Sequence, residues 1–130
     1  MALQIHSQHP SIAIDTDTGL MWQRFSVGQR FENGRVTGNA ERINFNDALE
    51  AASECNYLGF SDWRVPTIKE LRDPKFIKNN ILFGEKSYYW SCSRINDDTY
   101  YAWVADFSTG YCTITLKGDN CFIRLVHNNV

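Results

Sequence analysis

Long apolar runs are missing from this 130-residue chain, so no membrane-spanning helix and no membrane partner are expected. Charge of one sign is missing too. Thirteen Lys and Arg stand against 15 Asp and Glu, for a net charge of −2, and the basic residues never form a run of five. Nucleic acid and anionic surfaces are therefore not expected partners. No His-x-x-x-His or Cys-x-x-Cys spacing occurs, so no metal site is expected, and no cofactor. The polar first ten residues, with His6 and His9, lack the apolar centre of a secretory signal. That points to a cytoplasmic or virion-associated setting, or to an extracellular one if the chain is an excised domain.

Cysteine is sparse: Cys55, Cys92, Cys112 and Cys121. They read as small, reduced, partly buried side chains. If Gly118-Asp119 is a two-residue turn, Cys121 faces Leu116 rather than Cys112, so that pair is not expected to bridge. What the chain does have is a 43% hydrophobic and 14% aromatic composition, enough to pack a core without staples. Residues 1–11 are an N-terminal segment, either loose or an added strand, and residues 12–130 form one domain.

Residues 11–15 alternate apolar and polar and predict a strand, followed by a turn at Asp15-Thr16-Asp17-Thr18-Gly19 and a strand over 20–25. The Asp-x-Asp-x-Gly string opens like a calcium loop but lacks the third acidic position and the distal Glu. Residues 28–42 hold three glycines and predict a loop or a short irregular hairpin. Asn44 can cap a helix with Asp47 in its first turn; Phe45, Ala48, Leu49, Ala52 and Cys55 would form its apolar face. Gly59 marks the break. A second short helix over 68–72 stops before Pro74, and residues 75–86 find no place. Strands follow over 88–93, 100–107, 111–116 and 121–127, with turns at 108–110 and 117–120. The fold class is α+β, with two short helices and an antiparallel strand meander.

The most specific segment is Asp62-Trp63-Arg64-Val65-Pro66-Thr67-Ile68-Lys69-Glu70-Leu71. Pro66 forces Val65 out of the helical region, and Thr67 with Glu70 has the spacing of a capping box. Together with Gly19-Leu20-Met21-Trp22-Gln23, Tyr89-Trp90-Ser91 and Ala102-Trp103-Val104-Ala105-Asp106-Phe107, it resembles the Lcl C-terminal domain family. The likeness runs from about Ile12 to Val126. It implies a C-type lectin-like fold, related to that of the formylglycine-generating enzymes. It also implies Trp63, Trp90 and Trp103 as core and Arg64 as a clamp on loop carbonyls or a carboxylate. The family often pairs a Cys at the end of the first helix with one in the closing strand. Cys55 fills the first position, but Leu125 stands at the second.

A catalytic constellation is hard to assemble. His6, His9 and His127 lie near the two ends, and Cys92 has no base beside it in sequence. The cysteine pair of the formylglycine-generating enzymes has no counterpart, and the Glu-Pro-Asn and Trp-Asn-Asp strings of calcium-dependent lectins are absent. Residues 88–121 instead concentrate tyrosine with asparagine and aspartate, a composition suited to recognition. It is also similar to that of the variable proteins of diversity-generating retroelements. The expected function is non-catalytic binding of a protein or glycan partner. The candidate ligand-binding residues are Arg94, Asn96, Asp97, Asp98, Tyr100, Tyr111, Lys117, Asp119 and Asn120. The alternatives are an intracellular inhibitor or immunity-type protein, phage-encoded, or a retroelement variable protein.

Overall fold

Among the described residues, the strands pair antiparallel with one another and form three small sheets. The computed structural model describes residues 3–77, 79, 81–96 and 100–128. The first sheet runs in the order β1 (Leu3–Ile5), β2 (Ile12–Asp15), β3 (Met21–Gln23) and β9 (Val126–His127). The second is the hairpin of β4 (Arg30–Glu32) and β5 (Arg35–Thr37). The third is β6 (Tyr88–Trp90), β7 (Tyr101–Asp106) and β8 (Cys112–Leu116) in sequence order. Two helices, α1 (Phe45–Glu54) and α2 (Ile68–Leu71), and 3₁₀ turns at Tyr57–Gly59 and Pro74–Phe76 complete an α+β fold. Within the N-terminal segment, Leu3–Ile5 pair with β2 as β1.

Local chemistry sets the elements. Asn33 and Gly34, with φ of 52° and 80°, make the two-residue turn that joins β4 to β5. Asn44 caps α1 by accepting the Asp47 N–H at 2.9 Å, and Phe45, Ala48 and Ala52 bury one face. Leu49 falls at the edge of that stripe and is exposed. At α2 the capping box is complete: Thr67 accepts the Glu70 N–H at 3.2 Å, and Glu70 accepts the Thr67 N–H at 2.8 Å. Arg64 grips the same carboxylate with two bonds of 2.8 Å and donates a third to Asn128. Asp15 and Asp17, the pair that opens like a calcium loop, are both engaged by the Lys75 ammonium at 2.7 and 3.0 Å.

The C-terminal stretch departs from the expected hairpin. After the turn at 117–120 the chain does not run back along β8. Residues 121–126 are all buried and pass through the middle of the molecule. Cys121 exchanges both backbone bonds with Ile43, and Phe122 bonds Tyr88 and Trp90 of β6 as a parallel bridge. The carbonyls of Ile123 and Leu125 accept the N–H groups of Val27 and Gln23. Val126 pairs with Trp22 and exchanges both bonds with Arg64. The physical reason lies in the side chains. Apolar residues on both faces cannot sit on a strand with one wet side, so the segment takes a position covered on both.

That segment divides the core by simple alternation. Cys121, Ile123 and Leu125 join a cluster with Phe45, Ala48 and Ala52 of α1, Trp63, Trp90 and Val104. Phe122 and Val126 join another with Trp22, Leu71, Phe76, Tyr89 and Phe107. Trp63 and Trp90 are buried as expected, with indole N–H groups donated to the Tyr57 and Ile43 carbonyls. Trp103 departs from expectation: it is only partly buried. Ile81 and Phe83, within the stretch over 75–86, are tied down by two arginines. Arg24 donates to the Ile81 carbonyl at 2.9 Å and accepts the Phe83 N–H at its own carbonyl, and Arg124 donates to the Phe83 carbonyl. All four cysteines are unpaired thiols. Among the described residues no helix is long and apolar enough to cross a membrane.

The Arg64–Glu70 pair gives the fold a pH dependence of definite sign. Burial works against ionised Glu70, but the bonds from Arg64 and from the Thr67 backbone outweigh it and hold the carboxyl below its ordinary value of 4.5. A carboxyl whose folded pKa is depressed stabilises the fold above its unfolded pKa, and that stability is lost as pH falls through the folded value. Melting temperature of the wild type should thus fall below about pH 4.5, and Glu70→Gln should have a lower melting temperature at neutral pH with a flatter acid limb. Parallel acid limbs in the two proteins would contradict this assignment.

Candidate recognition face

The third sheet has one face that is dry at one end and open at the other. The register pairs Tyr101 with Leu116, Trp103 with Ile114, and Ala105 with Cys112. Alternation puts these six side chains on the same face, with Tyr89 of β6 beside Ala105. The end made by Tyr89 and Ala105 packs into the cluster of Trp22, Phe76 and Phe107. The end made by Tyr101, Trp103, Ile114 and Leu116 is uncovered: Ile114 is 43% and Leu116 46% exposed. On the opposite face Trp90, Ala102 and Val104 pack against α1, and Thr113 and Thr115 share that side in partly buried positions.

Strand β8 therefore wears its alternation inside out. Its threonines lie on the core-facing side and its isoleucine and leucine face outward. Among the described residues, nine large hydrophobic or tyrosine side chains stand exposed, and five of them (Tyr100, Tyr101, Tyr111, Ile114 and Leu116) belong to this one hairpin and the residue before it. Three of the five, Tyr101, Ile114 and Leu116, share the open face, and that clustering separates the patch from the scattered exposed apolar groups of any soluble domain.

The loops at one end extend the face. The Tyr100 carbonyl accepts the Lys117 N–H at 2.8 Å, so the residues flanking β7 and β8 meet there. Tyr100 is 72% exposed. Lys117 lies over the Phe45 ring at 5.0 Å, and its carbonyl accepts the Phe45 N–H, which docks the turn on the start of α1. Asp119 accepts a bond from the Thr115 hydroxyl and stays exposed, as does Asn120. Arg94 and Asn96 are exposed on the β6–β7 connection, with Asn96 in the left-handed region at φ 46°. Asp97 and Asp98 lie outside the described residues. Tyr111, 60% exposed, does not join this group. It sits at the far end of β8, beside Tyr88 at 6.5 Å and next to the turn at 108–110. Five strand residues separate it from Lys117, roughly 17–20 Å at the usual rise.

Tyr101, Trp103, Ile114 and Leu116 were not among the residues expected from sequence. The signal was there in Cys-Thr-Ile-Thr-Leu, a clean two-residue period. What the period cannot give is which face the core takes. Elsewhere, burial pushes the Cys92 thiol up, and the Cys121 thiol up to about 11. Among the described residues no three His, Cys, Asp or Glu side chains gather where they could hold a metal ion.

The family model for the Lcl C-terminal domain matches residues 11–127, and the chain belongs to that family. No match was found among curated proteins.

The open half of the sheet should be dispensable for stability. Ile114→Thr and Leu116→Thr should each change unfolding free energy by no more than about 0.5 kcal/mol, as surface substitutions do. Trp90→Ala should remove about 3–5 kcal/mol, and Trp103→Ala clearly less. Denaturant midpoints measure all four. A loss above about 2 kcal/mol for Ile114→Thr would mean that a covered face has been mistaken for an open one.

Proposed function

We propose that this chain is a non-catalytic recognition domain with a C-type lectin-like fold. It binds a protein or glycan partner through the open half of the β7–β8 face and the adjoining loops. The observation that carries the reading is the outward placement of Tyr101, Ile114 and Leu116 around a partly exposed Trp103. Interface centres are rich in tyrosine and tryptophan and poor in charge, with polar groups around them. Lys117, Asp119, Asn120, Arg94 and Asn96 supply such a border on one side. Leucine and isoleucine beside the aromatics favour a protein over a glycan, because a sugar platform needs polar partners between its rings.

A photo-crosslinking amino acid in place of Ile114 or Tyr101 tests the reading inside the producing cell. A discrete adduct is expected from both positions. The control positions, Leu49 and Leu58, are also exposed but lie away from the face and should give none. Tyr100→Ala together with Tyr101→Ala should abolish the adduct formed at 114, with the melting temperature unchanged. Equal adducts from the control positions would place the partner elsewhere, and a glycan array bound only by the wild type would make the partner a sugar.

A further inference from the structure

The loop over 81–86 and the end of β7 border a solvent-open cavity of about 250 Å³. Phe76, Leu82 and Phe107 give it apolar walls, while Lys86, Ser108 and Arg124 bring polar groups to it. Arg124 is the unusual member, at 1% exposure. Its Nη1 donates to the Gln23 carbonyl at 2.9 Å and its Nη2 to the Phe83 carbonyl. The guanidinium lies over the Phe107 and Tyr89 rings at 5.2 and 5.5 Å. Its Nε has no hydrogen-bond partner. The ion pairs of the described residues all belong to other cations. Glu85 lines the same cavity without pairing with it.

A buried cation with no counter-ion is costly, and an anion bound beside it relieves that deficit. The planar guanidinium fits a carboxylate in particular. Gly84 belongs to the same arrangement. A Cβ there would come within 2.8 Å of Nη2 and 3.0 Å of the Tyr89 hydroxyl, so a larger residue would press on the guanidinium and displace it. Burial also pulls the Arg124 pKa down, the direction that an anion would reverse. We infer that this cavity binds a small organic monocarboxylate, its oxygens held by Arg124 and Lys86 and its apolar body by Phe76, Leu82 and Phe107. The apolar walls and the nearby Glu85 disfavour a doubly charged inorganic anion. The site is independent of the recognition face.

Benzoate and its neutral counterpart benzamide are the probes, titrated at matched ionic strength into the ¹⁵N-labelled chain. The Arg124 Nε–H resonance should shift saturably with benzoate and stay put with benzamide, and the melting temperature should rise with benzoate concentration. Arg124 variants risk unfolding, so the contrast rests on two exposed positions. Ser108→Trp should fill the cavity and abolish the response. Lys86→Met should weaken it by roughly tenfold, the size of one lost charge-assisted bond. The proposal fails if no saturable shift appears, if benzamide acts equally, or if Ser108→Trp binds unchanged. It fails too if Glu85→Gln alone moves the Arg124 resonance, because Glu85 would then be the counter-ion.

Discussion

The structure depends on one buried strand. Residues 121–126 are hydrogen-bonded in turn to Ile43, to β6, to Val27, to β3 and to Arg64. A backbone in the middle of a protein must satisfy every N–H and C=O, and these partners are how it does so. Its side chains alternate between the two apolar clusters, so it is at once the partition and the adhesive of the core. The four-stranded and three-stranded sheets pack side chains into the same two clusters, and this strand adds backbone hydrogen bonds to both.

Arginine is the second recurring device. Arg64 is paired with a carboxylate and braces the start of α2. Arg24 and Arg124 instead spend their donors on backbone carbonyls: Pro10 and Ile81 for one, Gln23 and Phe83 for the other. Phe83 N–H returns a bond to the Arg24 carbonyl. An otherwise irregular loop is thereby fixed without secondary structure. The arrangement leaves two charges in poorly solvated places, and aromatic rings beside both soften that.

What was legible in the sequence was local. The Thr67–Glu70 capping box, the Asn44 cap and the break at Gly59 are each decided by neighbours within a few positions and each is present; residues 28–42, a loop or a short irregular hairpin from sequence, hold the β4–β5 hairpin. What was not legible is decided at long range. Gly118-Asp119 reads as a hairpin turn, and a turn does form, but the next strand is claimed by Ile43 and Tyr88 rather than by β8. Residues 75–86 carry no periodic signal because two distant arginines hold part of them. The candidate site divides the same way. Tyr100, Lys117 and Asp119 were read to one end of the meander, and they are there. Tyr111 was placed with them, but a whole strand intervenes. The apolar side chains of β8 went unnoticed because two-residue alternation is silent about which side is dry.

The open face and the buried strand belong to one account. Because residues 121–126 anchor the inner part of the third sheet, β7 and β8 can extend past the core and present apolar side chains without collapsing onto it. The measurement that bears most directly on this is native-state hydrogen exchange. The amides of Trp90, Phe122 and Val126 should exchange slowest of all, and only through global unfolding, while those of β1 and the β4–β5 hairpin open at lower free energy. If Phe122 and Val126 exchanged as fast as the β4–β5 hairpin, the buried strand would not help to hold the two sheets together.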